Sequence, residues 1–121
     1  MSTRGLGVQG EAVAARYYQN LGFRLFAHHY ATRLGELDLV LTCRDLVVIA
    51  EVKTRTNPAA AAPREAVDVH KRRRILMAAR QFLTEHPDFA QRQIRFDVVE
   101  VVPCPGGWQV RCFPGAFEAG G

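Results

Sequence analysis

Four charged residues interrupt the most apolar stretch of the chain. Glu36, Asp38, Glu51 and Lys53 are set among Leu, Val and Ile in the run from residue 36 to residue 53. Carboxylates in such a setting are costly unless they are paired or hold a cation. Two of them side by side repel, a divalent cation between them removes the repulsion, and hard oxygen ligands suit Mg²⁺ or Mn²⁺. Glu51, Val52 and Lys53 form an E-x-K step, which puts an acid and an amine on one face of one strand. Asp38 and Glu51, with the carbonyl of Val52, can hold the ion, and Lys53 can orient or activate a water beside it. A metal so placed stabilises charge developing on a phosphate and lowers the pKa of water, which suits in-line hydrolysis of a phosphodiester.

The chemistry depends on two strands meeting in register. The apolar runs 36–43 and 46–54 are separated by a polar break at Cys43-Arg44-Asp45, which predicts a hairpin. A loop of two or four residues sets Asp38 opposite Glu51, Glu36 opposite Lys53 and Thr42 opposite Val47. A three-residue loop sends Glu51 to the other face. The even count is expected, because it gathers all four charges on one face.

The other elements follow in order. Residues 5–10 match G-x-G-x-x-G, but only four residues precede them, so the strand that a dinucleotide site needs is missing and the match is accidental. These glycines read as a lead-in to a helix from residue 8 or 10 to 21, ended by Gly22. Ala14, Ala15, Tyr18 and Leu21 form its apolar stripe, and Glu11 lies on the same side one turn earlier, where taken alone it reads as a first-turn acid complementing the helix dipole and beside Asp38 and Glu51 as a third candidate ligand. A strand is expected at 23–30. His28 and His29 are neighbours on it and point to opposite faces, which argues for surface or packing roles rather than a shared metal. An Ala- and Pro-rich loop at 54–63 precedes a helix at 67–85, with Ile75, Leu76, Ala79, Phe82 and Leu83 buried and His86-Pro87 ending it. Strands at 93–102 and 108–113 complete the set. Asp97 is expected to serve the structure, paired with Arg95.

The second helix begins with His-Lys-Arg-Arg-Arg at 70–74. Cations there oppose the helix dipole. Glu65 and Asp68 offset part of this, and a phosphate backbone would offset more. The placement favours phosphate contact by Lys71, Arg72, Arg73 and Arg74 over a merely solvated basic face.

The 121 residues carry a net charge of +4, with 48% hydrophobic and 23% charged residues, as expected for one globular domain. Residues 1–6 and 114–121 read as loose ends. No apolar run approaches the roughly 20 residues needed to cross a bilayer, and no signal-peptide core stands at the N-terminus. Cys43, Cys104 and Cys112 are odd in number and lack C-x-x-C spacing, which points to reduced thiols and a cytoplasmic location. Ser2 is the only serine, which excludes a Ser-His-Asp hydrolase. The expected fold class is α/β, a mixed sheet of about five strands flanked by helices in the order α-β-β-β-α-β-β. On the pattern alone, a metal site and ordinary ion pairing account for the charged hairpin equally well.

A series of motifs adds to this reading: Gly10-Glu11 with Ala14 and Tyr17, Gly22-Phe23, Arg33-Leu-Gly-Glu-Leu-Asp38-Leu-Val, Val48-Ile-Ala-Glu-Val-Lys-Thr-Arg55, Glu65-Ala-Val-Asp68 with Lys71, and Arg95-Phe-Asp-Val-Val99. Over residues 5 to 113 the chain resembles the YraN-like family of bacterial proteins. That family is similar to the archaeal Holliday junction resolvases and the wider PD-(D/E)xK nucleases. The resemblance implies a restriction-endonuclease-like fold and a Mg²⁺-dependent nuclease site acting on DNA, branched or single-stranded. Glu11, Asp38, Glu51 and Lys53 stand at its acidic and lysine positions. Arg33 and Arg55 join the basic residues that would meet nucleic acid, and the resolvases imply a homodimer. The same fold retained as a nucleic-acid-binding module without turnover is the alternative. One departure is clear: the loop after Arg55 has an aromatic-glycine pair in the family, and here reads Thr-Asn-Pro-Ala-Ala-Ala-Ala-Pro.

Overall fold

Alternation and apolar runs build a five-stranded sheet with one helix on each face. The computed structural model describes residues 3–56 and 68–118. The elements are α1 (Thr3–Asn20), β1 (Arg24–Ala31), β2 (Glu36–Cys43), β3 (Leu46–Thr54), α2 (Val69–Glu85), a single 3₁₀ turn (Pro87–Phe89), β4 (Gln93–Cys104) and β5 (Gly107–Phe117). The sheet order is β1-β2-β3-β4-β5. Only β3 and β4 run parallel, and α2 lies in the connection between them. The fold class and the element order are those expected from the sequence. The Ala- and Pro-rich loop and Glu65 fall largely within 57–67, outside the described residues.

β3 is buried on both faces, which explains its unbroken Val-Val-Ile-Ala run. On one side Val47 and Ile49 join Val40, Phe96 and Val98 beneath Ile75, Ala78, Ala79 and Phe82 of α2. On the other, Val48 and Ala50 join Leu39, Leu41, Val99 and Val101 beneath Ala14, Ala15 and Tyr18 of α1. Gly22, at φ +97, closes α1, with the Phe23 amide donating to the Tyr18 carbonyl. Leu21 is exposed, so it lies off the buried stripe expected for it.

Both ends are more regular than expected. α1 already includes residues 3–6, so the glycines at 5 and 7 lie within the helix rather than before it. β5 continues through Pro114 and Gly115 to the buried Phe117, which stacks on Phe96 at 5.1 Å. Pro114 and Gly115 read as the end of a strand because both are turn residues. A register shift absorbs them: Val98 pairs with Phe113 and Phe96 with Phe117, so β5 takes four residues where β4 takes two. Gly115 adopts φ +61, and its amide donates to Asp97 Oδ1 at 3.0 Å. Asp97 is fully buried and also accepts from Tyr18 Oη and from Nε and a terminal nitrogen of Arg95, so it serves the structure as expected. The three cysteines are free thiols.

Candidate active site

The β2–β3 hairpin has the two-residue turn that the charge pattern demanded. Thr42 pairs with Val47, Cys43 with Leu46 and Leu39 with Ala50. Regular pairing ends at Leu39. Leu37 packs on the α2 side and Leu39 on the α1 side, although residues two apart on a regular strand share a face, so β2 loses its alternation at Asp38. There the Asp38 carboxylate takes over from the backbone ladder: Oδ2 accepts from the Val52 amide at 2.9 Å. The side chain is thereby held at the end of the sheet, facing Glu51.

Glu11, Asp38, Glu51 and Lys53 line one open cleft of about 290 Å³, with Gly7, Val52, Thr54 and Lys71. Burial, then the charge on Glu51, raises the Asp38 carboxyl to about 7. Glu51 is 6% exposed. Its Oε1 lies 3.6 Å from Lys53 Nζ, and Lys71 Nζ of α2 touches the same oxygen. Burial, then the neighbouring Lys71, pushes the Lys53 amine below its ordinary value. Burial opposes the charge on Lys71 as well, but its contacts with Glu51 and Lys53 prevail and hold that amine above its ordinary value.

Glu11 reaches the cleft because α1 rests directly on the end of β3. A Cβ at Gly10 would stand 2.0 Å from Thr54 Oγ1, so any larger residue would force Thr54 to shift. Burial raises the Glu11 carboxyl against the opposing charge of His29. Glu11 Oε2 is buried and lies 2.8 Å from His29 Nε2, yet no aligned hydrogen bond joins them. The other ring nitrogen, Nδ1, lies 2.7 Å from Glu36 Oε1. His29 thus bridges Glu11 and Glu36, and its hydrogen bond to Glu36 raises its pKa. The sequence assigned His29 only a surface or packing role. It stands at φ 50, a left-handed conformation unusual for a strand residue, which departs from simple alternation and is not readable from spacing. Glu36 is exposed and linked to His29, so it joins the site's margin rather than pairing with Lys53.

The basic residues divide. Lys71 belongs to the cleft. Arg72 lies over the Phe117 ring at 5.6 Å, while Arg73 and Arg74 are exposed on α2. Asp68 caps α2, accepting from the Lys71 amide at 2.8 Å, and that bond holds its carboxyl below the ordinary range. Arg33 is exposed on the turn between β1 and β2. Gly35 of that turn fits tightly on α2, where a Cβ would meet the Arg74 carbonyl oxygen at 2.8 Å. Arg55 turns into the fold: its amide donates to Val101 O, and its Nε lies 3.8 Å from Glu100. Among the described residues no three His, Cys, Asp or Glu side chains form a ready-made metal cage, and no helix is long and apolar enough to cross a membrane.

Fold and cleft define an α/β protein with an acidic site, flanked by two lysines, at one end of a mixed sheet. Residues 10–101 match the model of the uncharacterised protein family UPF0102, and the chain belongs to that family. A UPF0102 protein of Anaeromyxobacter dehalogenans (strain 2CP-C) is 40% identical over 118 residues, covering 98% of this chain and 87% of its own length. A UPF0102 protein of Rhodopseudomonas palustris is 40% identical over 113 residues, covering 93% and 83%. One from Myxococcus xanthus (strain DK1622) is 38% identical over 117 residues, covering 97% and 92%.

Proposed function

We propose that the protein is a metal-dependent nuclease that hydrolyses phosphodiester bonds in DNA. The observation that carries this reading is the convergence of Asp38, Glu51, Lys53 and Glu11, from three elements, on one cleft. The donor set fits a hard divalent cation, Mg²⁺ or Mn²⁺. Asp38, whose carboxyl is raised to about 7 by burial and the charge on Glu51, would release its proton to a bound ion. Asp38 and Glu51 would hold it, with the Val52 carbonyl and Glu11 completing the set. When bound, it would stabilise charge on the phosphate and lower the pKa of a nearby water.

The remaining roles belong to the protein's own groups. Lys53, its amine depressed by burial, is suited to take the proton of an attacking water. Lys71 contacts one Glu51 oxygen; an ion held there would displace it and free its charge for the phosphate. His29 holds Glu11 at the rim. Arg33, Arg73 and Arg74 are exposed, and the nuclease reading gives them the nucleic-acid backbone to meet.

A second reading, a nucleic-acid-binding module without turnover, is favoured by one observation: two lysines already attend Glu51, and the described residues hold no preformed cage. The assay is incubation with labelled four-way junction, flap, single-stranded and duplex DNA in Mg²⁺ or Mn²⁺. The nuclease reading expects cleavage that falls about 100-fold or more in Glu51→Gln. Cleavage that survives this change would place the activity elsewhere. Salt-dependent binding with no cleavage would establish the second reading.

A further inference from the structure

At the opposite end of the sheet, where β2 turns into β3, a cavity of about 960 Å³ is lined by Arg24, Arg44 and Arg92 together with Leu25, Phe26 and Phe89. None of the three arginines makes an ion pair with a carboxylate among the described residues. Arg92 is fixed over the Phe89 ring, 4.6 Å from its centroid. Arg24 and Arg44 are exposed, and Arg44 occupies the turn with φ 54. Phe26 is 43% exposed and packs edge-on against Phe89 at 4.8 Å. Phe26 also packs edge-on against Phe82 at 5.6 Å and His86 at 5.1 Å, so its ring is held in place beside the cations while part of it stays open to solvent. Guanidinium groups beside a stacking face are what unpaired nucleotides bind, through phosphate and base together.

Shared lining residues place this cavity and the carboxylate cleft on either side of a third. That third, mainly apolar cavity of about 870 Å³ shares Leu25 with the arginine cavity and shares Gly7 and Glu11 with the cleft. The three lie in series beside β1, the edge strand. Along β2 the span from Asp38 to Cys43 is about 16 Å at roughly 3.3 Å per residue.

We propose that Arg24, Arg44 and Arg92 form a second phosphate-binding site which, with Phe26 as the stacking face, grips an unpaired stretch of single-stranded nucleic acid leading to the carboxylate cleft. The proposal rests on the reading of that cleft as a nucleic-acid site, and it narrows the substrate to one with a single-stranded segment. The test is fluorescence anisotropy with a labelled single-stranded oligonucleotide and a blunt duplex, in EDTA, over a salt series. Arg24→Gln/Arg44→Gln changes only exposed residues, and the triple variant adds Arg92→Gln, with melting temperatures as the folding control. The triple variant is expected to bind single strands about 10-fold more weakly. Its slope of log affinity against log salt falls by about 2, at roughly 0.7 per lost phosphate contact on single strands. The double variant shows a smaller change in the same direction, and duplex binding is little altered. Unchanged affinity and slope in the double variant, or equal losses on blunt duplex, overturn the proposal. Cleavage by Glu51→Gln, measured separately, tests the carboxylate site, so a failure of that site and a failure of the arginine site give different results.

Discussion

Asp38 is the residue on which the proposed chemistry turns, and its protonation gives the sharpest expectation at this scale. Its pKa is raised from 3.8 to about 7 in the folded chain. The native state therefore holds a proton that the unfolded state releases first, so the contribution of Asp38 to stability is greatest below roughly pH 4 and declines as pH rises through 7. Without divalent ion, the melting temperature of the wild type should fall between pH 4 and 7 relative to Asp38→Asn. Asparagine keeps an acceptor for the Val52 amide and removes the titration. Mn²⁺ at pH 8 should raise the wild-type melting temperature and leave Asp38→Asn unmoved. Lys71→Met frees the Glu51 oxygen of a competing cation, so it should bind Mn²⁺ more tightly in calorimetry while melting lower in EDTA. Unaltered Mn²⁺ affinity in Lys71→Met would show that the lysine does not compete. The meeting of Asp38 with Glu51 was legible in the sequence, since strand pairing is countable. The place of His29 was not, because its left-handed backbone lies outside any periodic rule.

Between elements, the site depends on two close approaches at glycine, one onto a side chain and one onto a backbone carbonyl. Gly10 lets α1 touch Thr54 at the end of β3, and Gly35 lets the β1–β2 turn touch the backbone of α2. Gly10→Ala should cost about 1–3 kcal/mol in denaturant unfolding through overpacking. It should also reduce cleavage by displacing Glu11. Thr54→Ala in the same chain removes the nearest clashing atom and should recover most of the stability; failure to recover it would mean that another contact sets the cost. Gly35→Ala meets a backbone carbonyl, which cannot rotate away, so no single side-chain change should rescue it. Helix and strand positions were largely legible from apolar spacing, and the end of α1 from Gly22. The extension of β5 was hidden because Pro114-Gly115 has the composition of a turn, and only the partner strand and the buried Asp97 show that it is a bulge. The aromatic contacts around Phe26 and Phe89 join residues far apart in sequence, which no local pattern reveals.

As a whole molecule, the chain is a sheet with the candidate carboxylate site at one end and, at the other, three arginines that make no ion pair among the described residues. The hairpin of β2 and β3 spans the two, so one pair of strands positions both. Length, charge and element order made the α/β class legible. They carried no information about where the arginines at 24, 44 and 92 would gather, since these lie on separate elements. The central claim is that Asp38 and Glu51 together hold a divalent cation. Anomalous scattering from a crystal soaked in Mn²⁺ tests it most directly. The account predicts a peak within coordination distance of both carboxylates, with Lys71 withdrawn from Glu51. A fully occupied crystal lattice without such a peak, and with Lys71 still on Glu51, would contradict it.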